Sequence, residues 1–159
     1  MTQDLPERLR RLPTWMLSQA AVRAHRLLIE ALSEYDARGH HFRLLAALHD
    51  QGPTNQATLG RRTALDRSDV AVGVDELEHR GLARRSPDPD DGRRKLVEIT
   101  DAGVRFLLDL DRVIDTVQDA VLRPLTTEQR RAFLDLLARL QPQADDPSSP
   151  LPNPEAPAS

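Results

Sequence analysis

Hydrophobic residues recur along most of this chain at intervals of three and four, the spacing that places them on one face of an α-helix. The first run extends over residues 14–38, with Thr14 as its predicted N-cap and Gly39 as its predicted stop. A shorter run over residues 41–50 ends at Gly52 and Pro53. The pattern therefore predicts a long first helix and a short second one.

Two more short helices follow, joined by a tight turn. Thr54, Asn55 and Gln56 cap a helix that reaches residue 62, and Asp66 opens the next one. The apolar positions of this next helix recur at i, i+4 and i+7: Val70, Val74 and Leu77. Small or polar residues are expected on its opposite face: Ser68, Ala71, Val72 and Asp75. This pair of helices is typical of a helix-turn-helix.

After Gly81 the period of the pattern changes from 3.6 to 2. Residues 82–85 and 95–99 are short strand candidates, and the residues between them are rich in Pro, Asp and Gly, which favour turns. The sequence therefore predicts a β-hairpin here.

The helical period returns after the hairpin. Thr100 and Asp101 are expected to cap a long helix that stops at Pro124, and Thr126 with Gln129 fits a capping box for a last helix. The predicted buried stripe of the last helix is Phe133, Leu136, Leu137 and Leu140. The fold class is thus mainly α with a small β-hairpin.

Composition narrows the class of protein further. The chain has 159 residues, of which 3% are aromatic, so its core must be aliphatic, as in helices packed on helices. It has no cysteine, which excludes disulfides, thiolate metal sites and cysteine nucleophiles. No signal peptide or membrane-spanning run is visible, so we expect a cytoplasmic protein. Six of the 12 prolines lie beyond residue 140, which predicts a disordered tail over residues 141–159.

The net charge of −3 hides an uneven distribution. Residues 80–95 hold six basic side chains against three acidic ones, whereas the tail is acidic. A nucleic-acid partner is recognised by a local basic surface rather than by overall charge. A helix-turn-helix followed by a basic hairpin describes a winged helix-turn-helix, whose second helix enters the major groove. For Arg84 and Arg85 the alternative is a solvated strand face.

Four segments carry a resemblance to a known family: residues 65–69 (LDRSD), 77–82 (LEHRGL), 85–93 (RSPDPDDGR) and 99–103 (ITDAG). In these segments the chain resembles regulators of the multiple antibiotic resistance (MarR) family, and the order and length of its helices extend the likeness over roughly residues 10–140.

The resemblance implies a winged helix-turn-helix at residues 40–100, flanked by dimerisation helices at 1–39 and 101–140. It further implies a homodimer on a pseudo-palindromic operator in double-stranded DNA, acting as a ligand-responsive repressor. The implied DNA-binding residues are Thr54, Gln56, Arg67, Ser68, Asp69, Val72, Arg84, Arg85, Arg93, Arg94 and Lys95. Asp91 is expected to orient Arg93 rather than to contact DNA. The chain departs from the family at Val72 and Gly73, where a polar or basic residue is frequent.

The histidines and the one tryptophan are candidates for ligand binding. His40 and His41 are adjacent, but neighbours on a helix point about 100° apart, so we expect no metal site and no cofactor. Dimer packing is the simpler role for Trp15. The resemblance also allows Trp15, Arg23 and His41 to bind a small aromatic anion as effector.

Catalytic motifs are missing from the sequence: it has no nucleophile elbow, phosphate loop or dinucleotide fingerprint. We therefore predict that the protein is not an enzyme. The competing hypothesis is a helical dimerisation or scaffold protein whose winged helix no longer reads DNA.

Overall fold

The chain forms seven helices and one two-stranded sheet over residues 6–89 and 91–141, which are the residues that this computed structural model describes. The elements are α1 (Glu7–Arg10), α2 (Pro13–Ser33), α3 (Gly39–Gln51), α4 (Gln56–Thr63), α5 (Arg67–His79), β1 (Ala83–Pro87), β2 (Lys95–Ile99), α6 (Asp101–Leu122) and α7 (Thr127–Leu140). The predicted fold class, mainly α with a β-hairpin, is confirmed. Residues 142–159 of the predicted tail lie outside the described residues.

The elements belong to two compact units, one that runs up to Val121 and one that begins at Leu122. The first unit contains α1 to α5, the hairpin and all but the last residue of α6, and the second contains α7. Within the described ranges, no helix is both long enough and apolar enough to cross a membrane.

The core of the first unit holds α5 in place. Val70, Val74 and Leu77 are at most 1% exposed, and they share one cluster with leucines of α3 and α4. Burying each of these side chains stabilises the fold by about 1.5–3 kcal/mol. The inward face predicted for this helix is therefore confirmed.

Several helices begin at the N-cap residues that the sequence predicts. In each case a side-chain oxygen accepts a hydrogen bond from a backbone N–H three residues later, which would otherwise lack a partner. The capping residues are Asn55 for α4, Asp66 for α5, Thr100 for α6 and Thr126 for α7.

The first long helix has different ends from those predicted. Thr14 is not its N-cap, since Leu12 occupies that position and Pro13 begins α2, where a missing N–H costs nothing. The helix ends at Ser33, and Asp36 turns the chain with a φ of 49°. Gly39 is therefore the first residue of α3 and not a stop signal.

The hairpin is antiparallel, with Ala83 opposite Ile99 and Pro87 opposite Lys95. A third segment joins it: the Thr54 N–H donates to the Val97 carbonyl at 3.1 Å, and the Val97 N–H donates back at 2.8 Å. This bridge anchors the hairpin to the turn before α4. The sequence pattern did not predict it.

The last two helices differ in burial. Leu110 of α6 is buried with Leu32 and Ala37 in a second small cluster. On α7 the predicted buried stripe is wrong, because no residue of this helix is buried, and Leu136 and Leu140 are 58% and 70% exposed. Leu134, Leu136 and Leu140 of α7 are thus exposed, and Phe133 and Leu137 are half-buried.

We expect Gly103→Ala to lower the free energy of unfolding by about 3 kcal/mol, because overpacking against a backbone atom cannot be relieved by a rotamer change. A Cβ at this position would lie 2.0 Å from the Leu82 carbonyl oxygen and 2.7 Å from Cγ1 of Ile99. Gly39→Ala is the matched control, since nothing lies within 4 Å of a Cβ there. Urea denaturation measures both, and equal stability of the two variants would contradict the packing described.

Candidate nucleic-acid interface

The exposed face of α5 begins at its N-terminal turn. Arg67, Ser68, Asp69 and Val72 are exposed, and Val72 in the middle of the helix is 50% exposed. The Ser68 hydroxyl donates to the carboxylate of Asp66 at 2.7 Å, which fixes this turn. The face therefore offers one guanidinium, one hydroxyl, one carboxylate and one apolar side chain.

Gly73 does not belong to that face. It is buried against α3, and a Cβ there would lie 2.6 Å from Cδ1 of Leu44. Glycine at this position lets the two helices approach closely. Of the two departures noted from the sequence, Val72 alone lies on the exposed face of α5.

The tip of the hairpin carries three exposed cations: Arg93, Arg94 and Lys95. The Asp91 carboxylate accepts the Arg93 backbone N–H at 3.1 Å and pairs with Nε of Arg94 at 3.2 Å. Asp91 thus orders the loop as expected, but the guanidinium it holds belongs to Arg94 rather than Arg93. Among the described residues nothing pairs with the Arg93 guanidinium, which leaves it available to a partner.

Arg84 lies on β1 and pairs across the hairpin. Its Nε donates to the Glu98 carboxylate at 2.6 Å, and the side chain is 68% exposed. This hydrogen bond lowers the pKa of Glu98 and raises the pKa of Arg84. The contact stays within the hairpin.

Arg85 instead connects the hairpin to α5. Its guanidinium forms ion pairs with Asp75 and Glu78, and its backbone N–H donates to Glu78 at 3.0 Å. Burial opposes the charge of Arg85, but these hydrogen bonds outweigh it, so the pKa of Arg85 lies above its ordinary value. In this structure Arg85 fixes the hairpin beside the helix.

The remaining predicted DNA contacts lie at the start of α4. Thr54 is buried, and its backbone forms the bridge to β2. Gln56 is half-buried and lines a surface depression together with Arg61 and Arg67. Arg61 was not singled out from the sequence, because residues five apart on an α-helix point roughly 140° apart, so the helical period does not place it beside Gln56.

A cavity of about 700 Å³ lies beside α5, between α2, α3 and the turn that joins them. Of the residues predicted to bind an effector, His41 lines it, whereas Trp15 is half-buried on α2 and Arg23 is exposed, and neither is among its lining residues. The lining also includes three arginines and three further histidines: Arg38, Arg43, Arg80, His25, His40 and His79. Three acidic residues, Asp36, Asp69 and Glu76, line it as well, so the cavity wall carries charges of both signs.

A polar cluster on the cavity wall joins α3 to α5. Nε2 of His41 lies 2.6 Å from the Glu76 carboxylate, Nε2 of His40 lies 3.4 Å from the same oxygen, and Arg38 pairs with the other oxygen at 3.2 Å. Burial lowers the pKa of His41, and the hydrogen bond from His41 lowers the pKa of Glu76. At neutral pH the cluster therefore contains a neutral imidazole and a carboxylate.

Sequence reasoning missed this cluster. The two histidines were expected to diverge, but their rings lie 4.4 Å apart, and both reach the same carboxylate oxygen. The expectation failed because the backbone angle between neighbours does not fix where flexible side chains end. The non-local partner, Glu76, left no signal in the local pattern.

We expect Arg85→Met to lower the free energy of unfolding by about 1–2 kcal/mol at neutral pH, because it removes a largely buried guanidinium with two carboxylate partners. The control Arg84→Met removes an exposed pair and should cost less than about 0.5 kcal/mol. Since Arg85 lowers the pKa of Glu78, the stabilisation is present at neutral pH and is lost as the pH falls through that lowered pKa. Urea denaturation at neutral and acid pH should show the difference shrinking in acid; a difference that does not depend on pH would contradict the ion pair.

The comparisons with known proteins agree with this geometry. The MarR family profile matches residues 35–94. The HTH-type transcriptional repressor NicR of Pseudomonas putida is 34% identical over 99 residues, which are 62% of this chain and 63% of that repressor. The chain thus matches less than two thirds of the repressor's length.

Two solved structures extend the match. A probable transcriptional regulator from Pseudomonas aeruginosa has 34% identity and a TM-score of 0.74, covering 84% of this chain and 99% of its own. The PcaV regulator from Streptomyces coelicolor, in complex with its natural ligand, has 32% identity and a TM-score of 0.71, covering 83% and 93%. These relatives are transcriptional regulators and not enzymes, as the sequence predicted. The chain belongs to the MarR family of winged helix-turn-helix transcriptional regulators.

Proposed function

We propose that the protein is a homodimeric, sequence-specific DNA-binding repressor that a small aromatic anion releases from its operator. The observation that most supports this proposal is that an exposed helix face and an exposed basic hairpin tip occur in the same winged helix-turn-helix. The face of α5 that carries Arg67 and Val72 is solvent-exposed, and the hairpin beside it ends in Arg93, whose guanidinium pairs with none of the described residues. The relative NicR is a transcriptional repressor.

The bases would be contacted by exposed residues in the N-terminal half of α5, because the opposite face of this helix is buried in the core. Arg67 can donate two hydrogen bonds to a guanine edge, Ser68 can reach a base or a phosphate, and Val72 can contact a thymine methyl. Gln56 at the start of α4 is placed to bind a phosphate. Two such helices related by a dimer axis require half-sites about 10 bp apart, hence a pseudo-palindromic operator.

The hairpin adds affinity. Neither Arg93 nor Lys95 has an ion pair among the described residues; Arg93 follows the turn at the tip directly, so it is the candidate for insertion into a narrow minor groove. Arg94 and Lys95 lie close enough to the tip to contact phosphates. Arg84 and Arg85 act in this account mainly by fixing the hairpin, since both already have carboxylate partners.

Arg93→Ala should weaken binding to DNA from upstream of the protein's own gene by at least about tenfold, or 1.4 kcal/mol. Arg131→Ala, an exposed arginine on α7, is the matched control and should leave the affinity unchanged. Fluorescence anisotropy at one fixed salt concentration measures both. If the two variants lose the same affinity, the hairpin does not contact DNA as proposed.

Dimerisation is supported by apolar surface that the single chain leaves uncovered. Several large side chains of α2 and α7 are more than 40% exposed: Met16, Leu17, Val22, Ile29, Leu134, Leu136 and Leu140. A monomeric protein rarely exposes this many apolar side chains on two helices. A second copy of the chain would cover them, and would also bring two recognition helices onto one operator.

Light scattering should give a mass of twice the 17.8 kDa of one chain at micromolar concentration. Leu136→Glu places a charge in the apolar stripe of α7 and should shift the protein towards monomer. Asp135→Lys changes the charge of an exposed residue on the other side of this helix and should leave the dimer intact. A wild-type protein that is monomeric under these conditions would overturn the dimer and the operator geometry together.

The cavity is the proposed effector site. The PcaV structure holds its natural ligand, which supports ligand binding in this fold. Arg38, on the cavity wall, pairs with Glu76 of α5. An anion that binds Arg38 competes with Glu76 and favours a conformation in which α5 is held differently, which lowers operator affinity through a population shift.

A further inference from the structure

Three side chains on the wall of the cavity converge on one point. His40 and His41 extend from the first turn of α3, and Glu76 extends from α5. One ligand atom from each, the two imidazole nitrogens and a carboxylate oxygen, lies within 4.8 Å of the other two. His41 is buried and the other two are half-buried.

We propose that His40, His41 and Glu76 bind one divalent transition-metal ion of the zinc type through Nε2 of both imidazoles and one carboxylate oxygen. In a tetrahedral site with bonds of about 2.0–2.1 Å, ligand atoms lie roughly 3.3 Å apart. The observed separations of 2.6 and 3.4 Å from the carboxylate oxygen to the two nitrogens bracket that spacing. Small side-chain movements therefore admit the ion.

The donor set selects the class of metal. Two imidazole nitrogens with a carboxylate suit Zn²⁺, Co²⁺ or Ni²⁺, whereas Mg²⁺ and Ca²⁺ prefer oxygen ligands throughout. Three protein ligands leave a fourth position, and since all three groups line the cavity, that position opens towards it. Water, or an oxygen of a small molecule in the cavity, can complete the coordination.

One existing hydrogen bond has to break before the ion can bind. The Arg38 backbone N–H donates to Nδ1 of His41 at 3.2 Å, so the ring proton is on Nε2. A metal on Nε2 moves this proton to Nδ1, and the hydrogen bond is lost. A single neutral hydrogen bond contributes much less than a set of metal–ligand bonds, so the ion prevails.

Arg38 pairs with the other oxygen of Glu76, where its positive charge would be repelled by the bound ion. Its guanidinium pairs with Glu76 at 3.2 Å but is 65% exposed, so it can turn into solvent when a cation replaces it. The ion would then link α3 to α5 in place of the arginine. Metal binding would thus hold the recognition helix through bonds that do not depend on Arg38.

The test is metal titration of the full chain after treatment with a chelator. Calorimetry with Zn²⁺ should give one ion per chain with a Kd of about 1 µM or tighter, and Co²⁺ should give the visible absorption bands of a four-coordinate site. His40→Asn and Glu76→Gln should each weaken binding by about tenfold or more. His49→Asn is the control, because His49 lies on the surface and pairs with Asp50, and it should bind like the wild type.

Thermal melting establishes that each variant is folded, and Glu76→Gln preserves the shape of the side chain. Absence of binding at about 100 µM free Zn²⁺ would overturn the proposal and identify the cluster as hydrogen bonds alone. Stoichiometric binding that survives both His40→Asn and Glu76→Gln would also overturn it, since the ion would then lie elsewhere. Neither measurement uses DNA, so a negative result would rule out the metal site without contradicting the proposed repressor function.

Discussion

The packing of Val70, Val74 and Leu77 into the leucine core sets the orientation of α5, and the rest of the candidate interface depends on it. These side chains are at most 1% exposed, so rotation of α5 about its axis by one residue, about 100°, would bring them into water. The opposite face therefore remains exposed. Gly73 contributes by letting α3 approach closely, which places α5 at a fixed depth.

Polar contacts then connect this helix to its surroundings on two sides. Asp75 and Glu78 bind Arg85 of the hairpin, and Glu76 binds the cluster on the cavity wall. Arg80, just after the helix, donates to the Asp36 carbonyl at 2.7 Å and lies over the Phe106 ring. The hairpin and the cavity wall are thus both attached to α5, so a displacement of this helix would move the two together.

Local signals explain what the sequence predicted well. Caps such as Asn55, Asp66 and Thr126 act within three residues, and turn formers define the hairpin within one short segment, so each can be recognised without knowledge of the fold. The exposed face of α5 followed from the period of its apolar positions.

Contacts between distant segments explain what the sequence did not predict. The Thr54 bridge to Val97, the partners of Arg85 and the meeting of Glu76 with His41 each join separate elements. The sequence pattern identified the apolar stripe of α7, but such a pattern does not show whether the same chain or a second copy buries the stripe. Trp15 and Arg23 were assigned to a pocket by analogy with the family, and the pocket lies further along α2.

The central claim is that this winged helix reads DNA. The most direct measurement is the affinity of the purified protein for the DNA upstream of its own gene, against a scrambled duplex, over a range of salt concentrations. The account predicts a steep linear fall of log affinity with log salt and a preference of at least about 1,000-fold for the upstream DNA. No binding at low salt, or equal affinity for both duplexes, would contradict it and favour a helical dimerisation protein that no longer reads DNA.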